Sequence, residues 1–195
     1  MAVALAACGP TASPSPPPTP TPEPTPTLAP TPTATPVPPT GETGGPAVPI
    51  NSTLLAVLPA EVDGLPLTEN AAAEAVGSAD PQLPEIATAF AAGLALDAST
   101  GQFVFAVVIG LTPGALDDGR FRDYRATFDQ GACSQANGLT GTAEAQIDGR
   151  TVYIGTCAGG VQTYHVWLQP QGLLISASAV GQRGLGEILM AHLRP

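Results

Sequence analysis

The chain has 195 residues and a formal net charge of −10, with 23 prolines, 22 glycines and no lysine. All six basic residues are arginines in residues 50–195, and only Glu23 and Glu42 of the sixteen acids precede them, so that part alone carries net −8. This balance argues against nucleic acid, which is held by basic patches that release counterions, and against adsorption to anionic lipid headgroups.

The chain opens on a short apolar run that ends in Leu5-Ala6-Ala7-Cys8. A branched aliphatic, two small residues and a cysteine resemble the lipobox of bacterial lipoproteins. The resemblance implies that a signal peptidase cuts before Cys8 and that its thiol carries a diacylglycerol, with the freed amine open to further acylation such as palmitate. The implied partner of Cys8 is membrane lipid, and the implied location is the outer face of the bacterial cytoplasmic membrane or the cell surface. Each buried methylene contributes about 0.8 kcal/mol, and two acyl chains suffice for stable anchoring. A secretory signal has a positive n-region and an apolar segment of about 7–15 residues. Met1–Ala7 carries no Lys or Arg, so the expectation is a truncated signal segment (1–7) whose true start lies upstream. No later run approaches the ~20 apolar residues of a membrane span.

Residues 8–49 follow as the lipidated cysteine and a Pro/Thr-rich linker, in which Thr-Pro recurs at 19–20, 21–22, 25–26, 31–32 and 35–36. Proline fixes φ and lacks an N–H, so neither helix nor sheet ladder is expected, and too few apolar residues are present to offset chain entropy. Polyproline II at about 3.1 Å per residue carries some 40 residues over roughly 100 Å. An inert tether is the simplest reading, with O-glycosylation of its threonines as an alternative. Gly41–Gly45 loosens it before the globular part.

Residues 50–195 suit one domain. Leu54–Pro59 reads as a short strand leading to a turn at Asp63-Gly64. Thr68 suits the cap of an alanine-built helix through about Val76, ended by Gly77. Asp80-Pro81 separates it from a second helix near Pro84–Ala92. Phe103–Ile109, aromatic and β-branched on both faces, reads as a buried strand. Leu116, Phe121, Tyr124 and Phe128 recur near helical spacing, with the acids Asp117 and Asp118 at its start, which predicts an amphipathic helix lying on a sheet. Ala143–Ile147 and Thr151–Cys157 flank Asp148-Gly149, a two-residue hairpin signal. Val161–Gln169 and Leu173–Val180 flank Pro170-Gln171-Gly172, and Gly181–Gly186 leads to a last helix near Leu185–Leu193. The expected class is α+β: an antiparallel sheet of about four to five strands with helices packed on one face.

Cys133 and Cys157 are an even pair in a domain expected outside the cytoplasm, which reads as a disulfide. Asp117-Asp118-Gly119 with Asp123 lacks calcium-loop spacing and suits a helix start, so no metal is expected. Gly181-Gln182-Arg183-Gly184-Leu185-Gly186 matches no phosphate-loop pattern and reads as a strand-to-helix connection. Thr163, His165 and Trp167 share one face of a strand. That strip is either a ligand surface, recognising by stacking and hydrogen bonds, or lies beneath a helix with a satisfied histidine. Ser176 and Ser178 alternate along a strand, neither in GxSxG. His192 is placed for a favourable contact with the last helix's dipole.

No catalytic residues and no cofactor are assigned. The reading that follows is a non-enzymatic binding or structural domain, with an envelope protein or a small ligand as partner. The alternatives are a small extracytoplasmic hydrolase, whose groups converge only on folding, and a carrier of apolar ligands.

Overall fold

The computed structural model describes residues 47–195. Cys8, the predicted lipobox and the predicted linker up to residue 46 lie outside the described residues. Among the described residues, no helix is long and apolar enough to cross a membrane.

The class is α+β. A 3-10 turn (Ser52–Val57) leads into a small hairpin of β1 (Glu61–Val62) and β2 (Leu65–Pro66), then β3 (Thr68–Glu69) and α1 (Ala71–Ser78). After a 3-10 turn at Leu83–Glu85 come β4 (Ala87–Asp97), β5 (Gln102–Leu111) and α2 (Asp118–Ser134). The chain ends with β6 (Leu139–Ile147), β7 (Arg150–Cys157), β8 (Val161–Leu168), β9 (Leu173–Val180) and α3 (Leu185–Ala191). Seven strands form one sheet in the order β3-β4-β5-β9-β8-β7-β6, antiparallel at every pairing.

Seven strands replace the expected four to five because two stretches read otherwise in the sequence. The expected helix at Pro84–Ala92 is mostly β4: its alanines pair along β5, with Phe90 opposite Ile109 and Ala92 opposite Val107. Non-local pairing overrides alanine's local helix preference. Thr68 lies in β3, where no helix begins, and α1 is capped by Asn70, whose side chain accepts from the Ala73 N–H. Leu54–Pro59 is also corrected, since most of it belongs to the first 3-10 turn.

Helices cover both faces of the sheet, which corrects the one-face expectation. On one face Val104, Tyr164, Val166, Ile175 and Ala177 pack with Leu185, Leu189 and Met190 of α3. On the other, Val107, Ile109 and Leu174 pack with Phe121 of α2 and Ala73 near the start of α1. The inner strands are therefore apolar on alternate residues of both faces, and the period-two signal disappears. Contact is close: a Cβ on Gly186 of α3 would overlap the Tyr164 ring.

The two edges of the sheet differ. Beyond the two residues of β3, the outer edge of β4 is closed piece by piece. The Ala92 N–H donates to Glu74 Oε1 at 3.0 Å and the Ala92 carbonyl accepts from Asn70 N–H at 2.8 Å, while the Phe90 N–H donates to the Pro49 carbonyl at 3.0 Å. Val48 and Pro49, at the end of the predicted linker, thus take part in the fold. The neighbouring Glu74 carboxylate pushes the Glu69 carboxyl above its usual range.

β6 forms the other edge, mostly exposed and paired only with β7. Asp148 and Gly149 connect them, both with positive φ (48° and 72°), as a type I′ turn requires. The flanking Ile147–Arg150 pair is then hydrogen-bonded and the pattern alternates. The outward amides belong to Gln146, Glu144 and Thr142. In native-state hydrogen exchange these three should exchange fast and those of Ile147, Ala145 and Ala143 slowly; uniform protection along β6 would show that the edge is covered.

Candidate functional site

A chain of buried polar groups lies between α2 and the sheet. Its side chains come from α2, β8 and β9, and β7 adds a backbone N–H. The sheet places His165 on β8 directly opposite Ser176 on β9 and Thr163 opposite Gly155 on β7, all facing α2. Helical spacing places Asp129 two turns beyond Phe121, on the same inward stripe. His165 is 1% exposed, Ser176 and Thr163 are fully buried, and Asp129 is buried too.

Asp129 Oδ1 accepts from the Thr163 hydroxyl and lies 2.8 Å from His165 Nε2. A carboxylate only accepts, so Nε2 carries the proton. When the ring is neutral Nδ1 accepts from Ser176 Oγ, 2.8 Å away, and when the ring is protonated Nδ1 donates to it. The Gly155 N–H donates to Thr163 Oγ1 at 3.1 Å. Glycine is needed at 155, where a Cβ would stand 2.9 Å from the Asp129 carboxyl and overlap the Thr163 hydroxyl. Burial pushes the Asp129 carboxyl up, but the hydrogen bonds from His165 and Thr163 and the charges of His165 and Arg125 outweigh it, holding it below the usual range. Burial pushes the Tyr124 phenol up to about 12, against an opposing hydrogen bond with Ser176. Tyr124 and Phe128 close over the imidazole, both edge-on, with Phe128 at 5.1 Å between centroids.

Ser176, His165 and Asp129 have the composition of a nucleophilic triad. The geometry differs in what it offers a substrate. Ser176 lies mid-strand with β5 and β8 on its two flanks. An oxyanion is stabilised by donors left free to point at it, whereas the backbone here is engaged in the sheet. The arrangement ties helix to sheet.

The predicted strip Thr163, His165 and Trp167 therefore divides. Its first two members are buried under α2. Trp167, half-buried and tilted against Phe121 at 5.8 Å, reaches the surface on the rim of two shallow grooves of about 560 and 400 Å³, one on each side of the Gln169–Gln171 turn. Cys133 and Cys157 form the expected disulfide, with Cα atoms 5.2 Å apart. It staples the last turn of α2 to the end of β7, one helical turn beyond Asp129.

Other candidates take structural places. Asp117 caps α2, accepting from the Arg120 N–H at 2.8 Å. In the Gly181–Gly186 connection, Arg183 Nε donates to Asp63 at 2.6 Å and Nη1 reaches Asp97 at 3.4 Å, pinning two turns to the loop. His192 is exposed and its Nδ1 lies 2.8 Å from the Ile188 carbonyl. Arg125 lies over the Tyr153 ring at 3.6 Å.

A third groove, of about 350 Å³, runs between α2 and the Leu83–Glu85 turn. Leu83, Ile86, Tyr124 and Phe128 contribute apolar lining, while Asp80, Glu85 and Asp123 add carboxylates.

Sequence reasoning missed Asp129 and the pairing of Ser176 with His165, although both left a trace. Asp129 sits on the inward helical stripe that begins at Phe121. A hairpin closed over Gln169–Gly172 sets Leu168 opposite Leu173, and counting back three pairs brings His165 to Ser176. No protein-family model matches this chain, and neither does any curated protein or any solved structure.

Proposed function

We propose that this chain is a lipid-anchored extracytoplasmic protein whose globular part acts by binding, displayed beyond the membrane on its Pro/Thr linker. The observation that carries the reading is the use made of Ser176, His165 and Asp129. The most reactive combination in the domain is spent on joining α2 to the sheet, with the serine fully buried. The surface instead offers open grooves with mixed apolar and polar lining, which suit a ligand with a polar part better than a wholly apolar cargo. The Cys133–Cys157 disulfide suits an oxidising compartment, in keeping with export through the Cys8 motif.

The order Ser-His-Asp favours one second reading, a hydrolase whose site opens on substrate binding. Two measurements test the proposal. Cells fed labelled palmitate should label the wild-type chain and not Cys8→Ser; an unlabelled wild type removes the anchor. A fluorophosphonate probe should leave Ser176 of the folded protein unmodified, and stoichiometric labelling at Ser176 would establish the hydrolase.

A further inference from the structure

The groove between α2 and the Leu83–Glu85 turn combines two features. The first is its floor. Leu83, Ile86 and Leu116 join Tyr124 and Phe128, whose ring centroids are 6.3 Å apart and whose planes are tilted by 37°. A cation is attracted to the negative face of an aromatic ring, and the attraction grows once water is displaced. The second is a net negative charge. Among the described residues, the ion pairs engage Asp63, Asp97, Asp129 and Asp148, and none involves Asp80, Glu85 or Asp123 of the groove. These three carboxylates outnumber the one cation in the lining, Arg120, whose Nη1 donates to the Ala115 carbonyl at 2.8 Å. Asp80 accepts a backbone N–H from Gln82 at 2.8 Å, a neutral donor that brings no counter-charge.

We propose that this groove binds a small organic cation of the trimethylammonium type, a statement of ligand class that rests on the binding reading above. Charge complementarity selects a cation over an anion. The carboxylates surround the floor without converging: among the described residues, no group of three acidic, histidine or cysteine side chains could hold a metal ion. Such a layout suits a large, diffuse charge better than a bare metal, which needs several oxygens within about 2.6 Å. A trimethylammonium group also leaves water more readily than a primary ammonium, a compact and strongly hydrated charge. The volume of about 350 Å³ lies at the small end of ligand sites.

The test uses the full chain carrying Cys8→Ser, so that no acyl chain confers affinity for lipid. Choline is titrated and its methyl protons are followed by NMR, with the uncharged isostere 3,3-dimethylbutan-1-ol in parallel. Saturable upfield shifts from the Tyr124 and Phe128 ring currents are expected, with the isostere weaker by on the order of tenfold. Combining Glu85→Gln with Asp123→Asn, both exposed positions, should weaken choline by about fivefold and leave the circular dichroism unchanged. Absence of saturable shifts, or choline binding that ignores these two substitutions, overturns the proposal. Equal binding of alcohol and choline overturns the cation while leaving a binding groove. Co-sedimentation with phosphatidylcholine vesicles separates the two sources of this chemistry: affinity for vesicles above that for free choline assigns a lipid headgroup, and the reverse a soluble cation. Either result sustains the trimethylammonium assignment.

Discussion

Asp129→Ala should be the most destabilising single substitution in the buried polar chain, lowering unfolding free energy by about 2–5 kcal/mol, since each buried donor left without its acceptor costs about 1–3 kcal/mol. Two groups lose their acceptor at once: the Thr163 hydroxyl and His165 Nε2. Neither is open to water that could replace it. Asp129→Asn keeps the volume and one acceptor oxygen, so it should be milder. Chemical denaturation of the three proteins checks the order, and a loss below about 1 kcal/mol for Asp129→Ala would place the fold's stability elsewhere. The same carboxylate sets a pH dependence. Its pKa is lower folded than unfolded. Its contribution is therefore complete above the ordinary carboxylate value of about 3.9, and is lost as pH falls through the lower folded value. Below about pH 4 the wild type should lose its advantage over Asp129→Asn; a constant gap down to pH 2 would contradict this.

Replacing both cysteines with alanine should lower stability by about 3 kcal/mol, because the bond closes a loop across 24 residues of sequence and restricts the unfolded chain accordingly. Thermal or denaturant unfolding of the double variant gives the number, and an unchanged midpoint would refute it. The staple lies one helical turn from Asp129, so the two losses should not add. Without the covalent tie, the C-terminal half of α2 is held over β7 and β8 chiefly by the polar chain and by Phe128 against His165. The triple variant, Asp129→Ala with both cysteines replaced, should therefore depart from the sum of the two effects by more than the few tenths of a kcal/mol seen for independent sites.

Elements with a local signal were legible in residues 50–195. Asp148-Gly149 announced the β6–β7 hairpin because a type I′ turn needs positive φ at both positions. The stripe from Phe121 to Phe128, with Asp117 ahead of it as the cap, announced α2 because its apolar residues recur at helical spacing. The paired cysteines, met in a chain with an export-like start, announced the disulfide. β4 was misread as helix for a physical reason. Its alanines are buried by α1 on one face and by the N-terminal turn on the other, and they owe their extended form to β5.

The candidate sites were less legible, since each depends on residues far apart in the chain. Asp129 meets His165 across 36 positions. The strip Thr163, His165 and Trp167 was found as a strip, but alternation along a strand says only which residues share a face. It does not say what covers that face. The cation groove joins α2 to a turn more than thirty residues earlier, and no spacing in the sequence relates Tyr124 to Asp80.

By itself the sequence determined the α+β class, the pairing of two hairpins, the cysteine bridge and the acidic character of the domain. These rest on interactions within a few residues or on composition, which a linear chain displays directly. Only the tertiary structure decided that helices cover both faces, that Ser176, His165 and Asp129 form one buried connection, and that the acids of α2 and of the Leu83–Glu85 turn face a shared aromatic floor. Those outcomes depend on which strands become neighbours, and strand order is settled by the burial of the whole sheet.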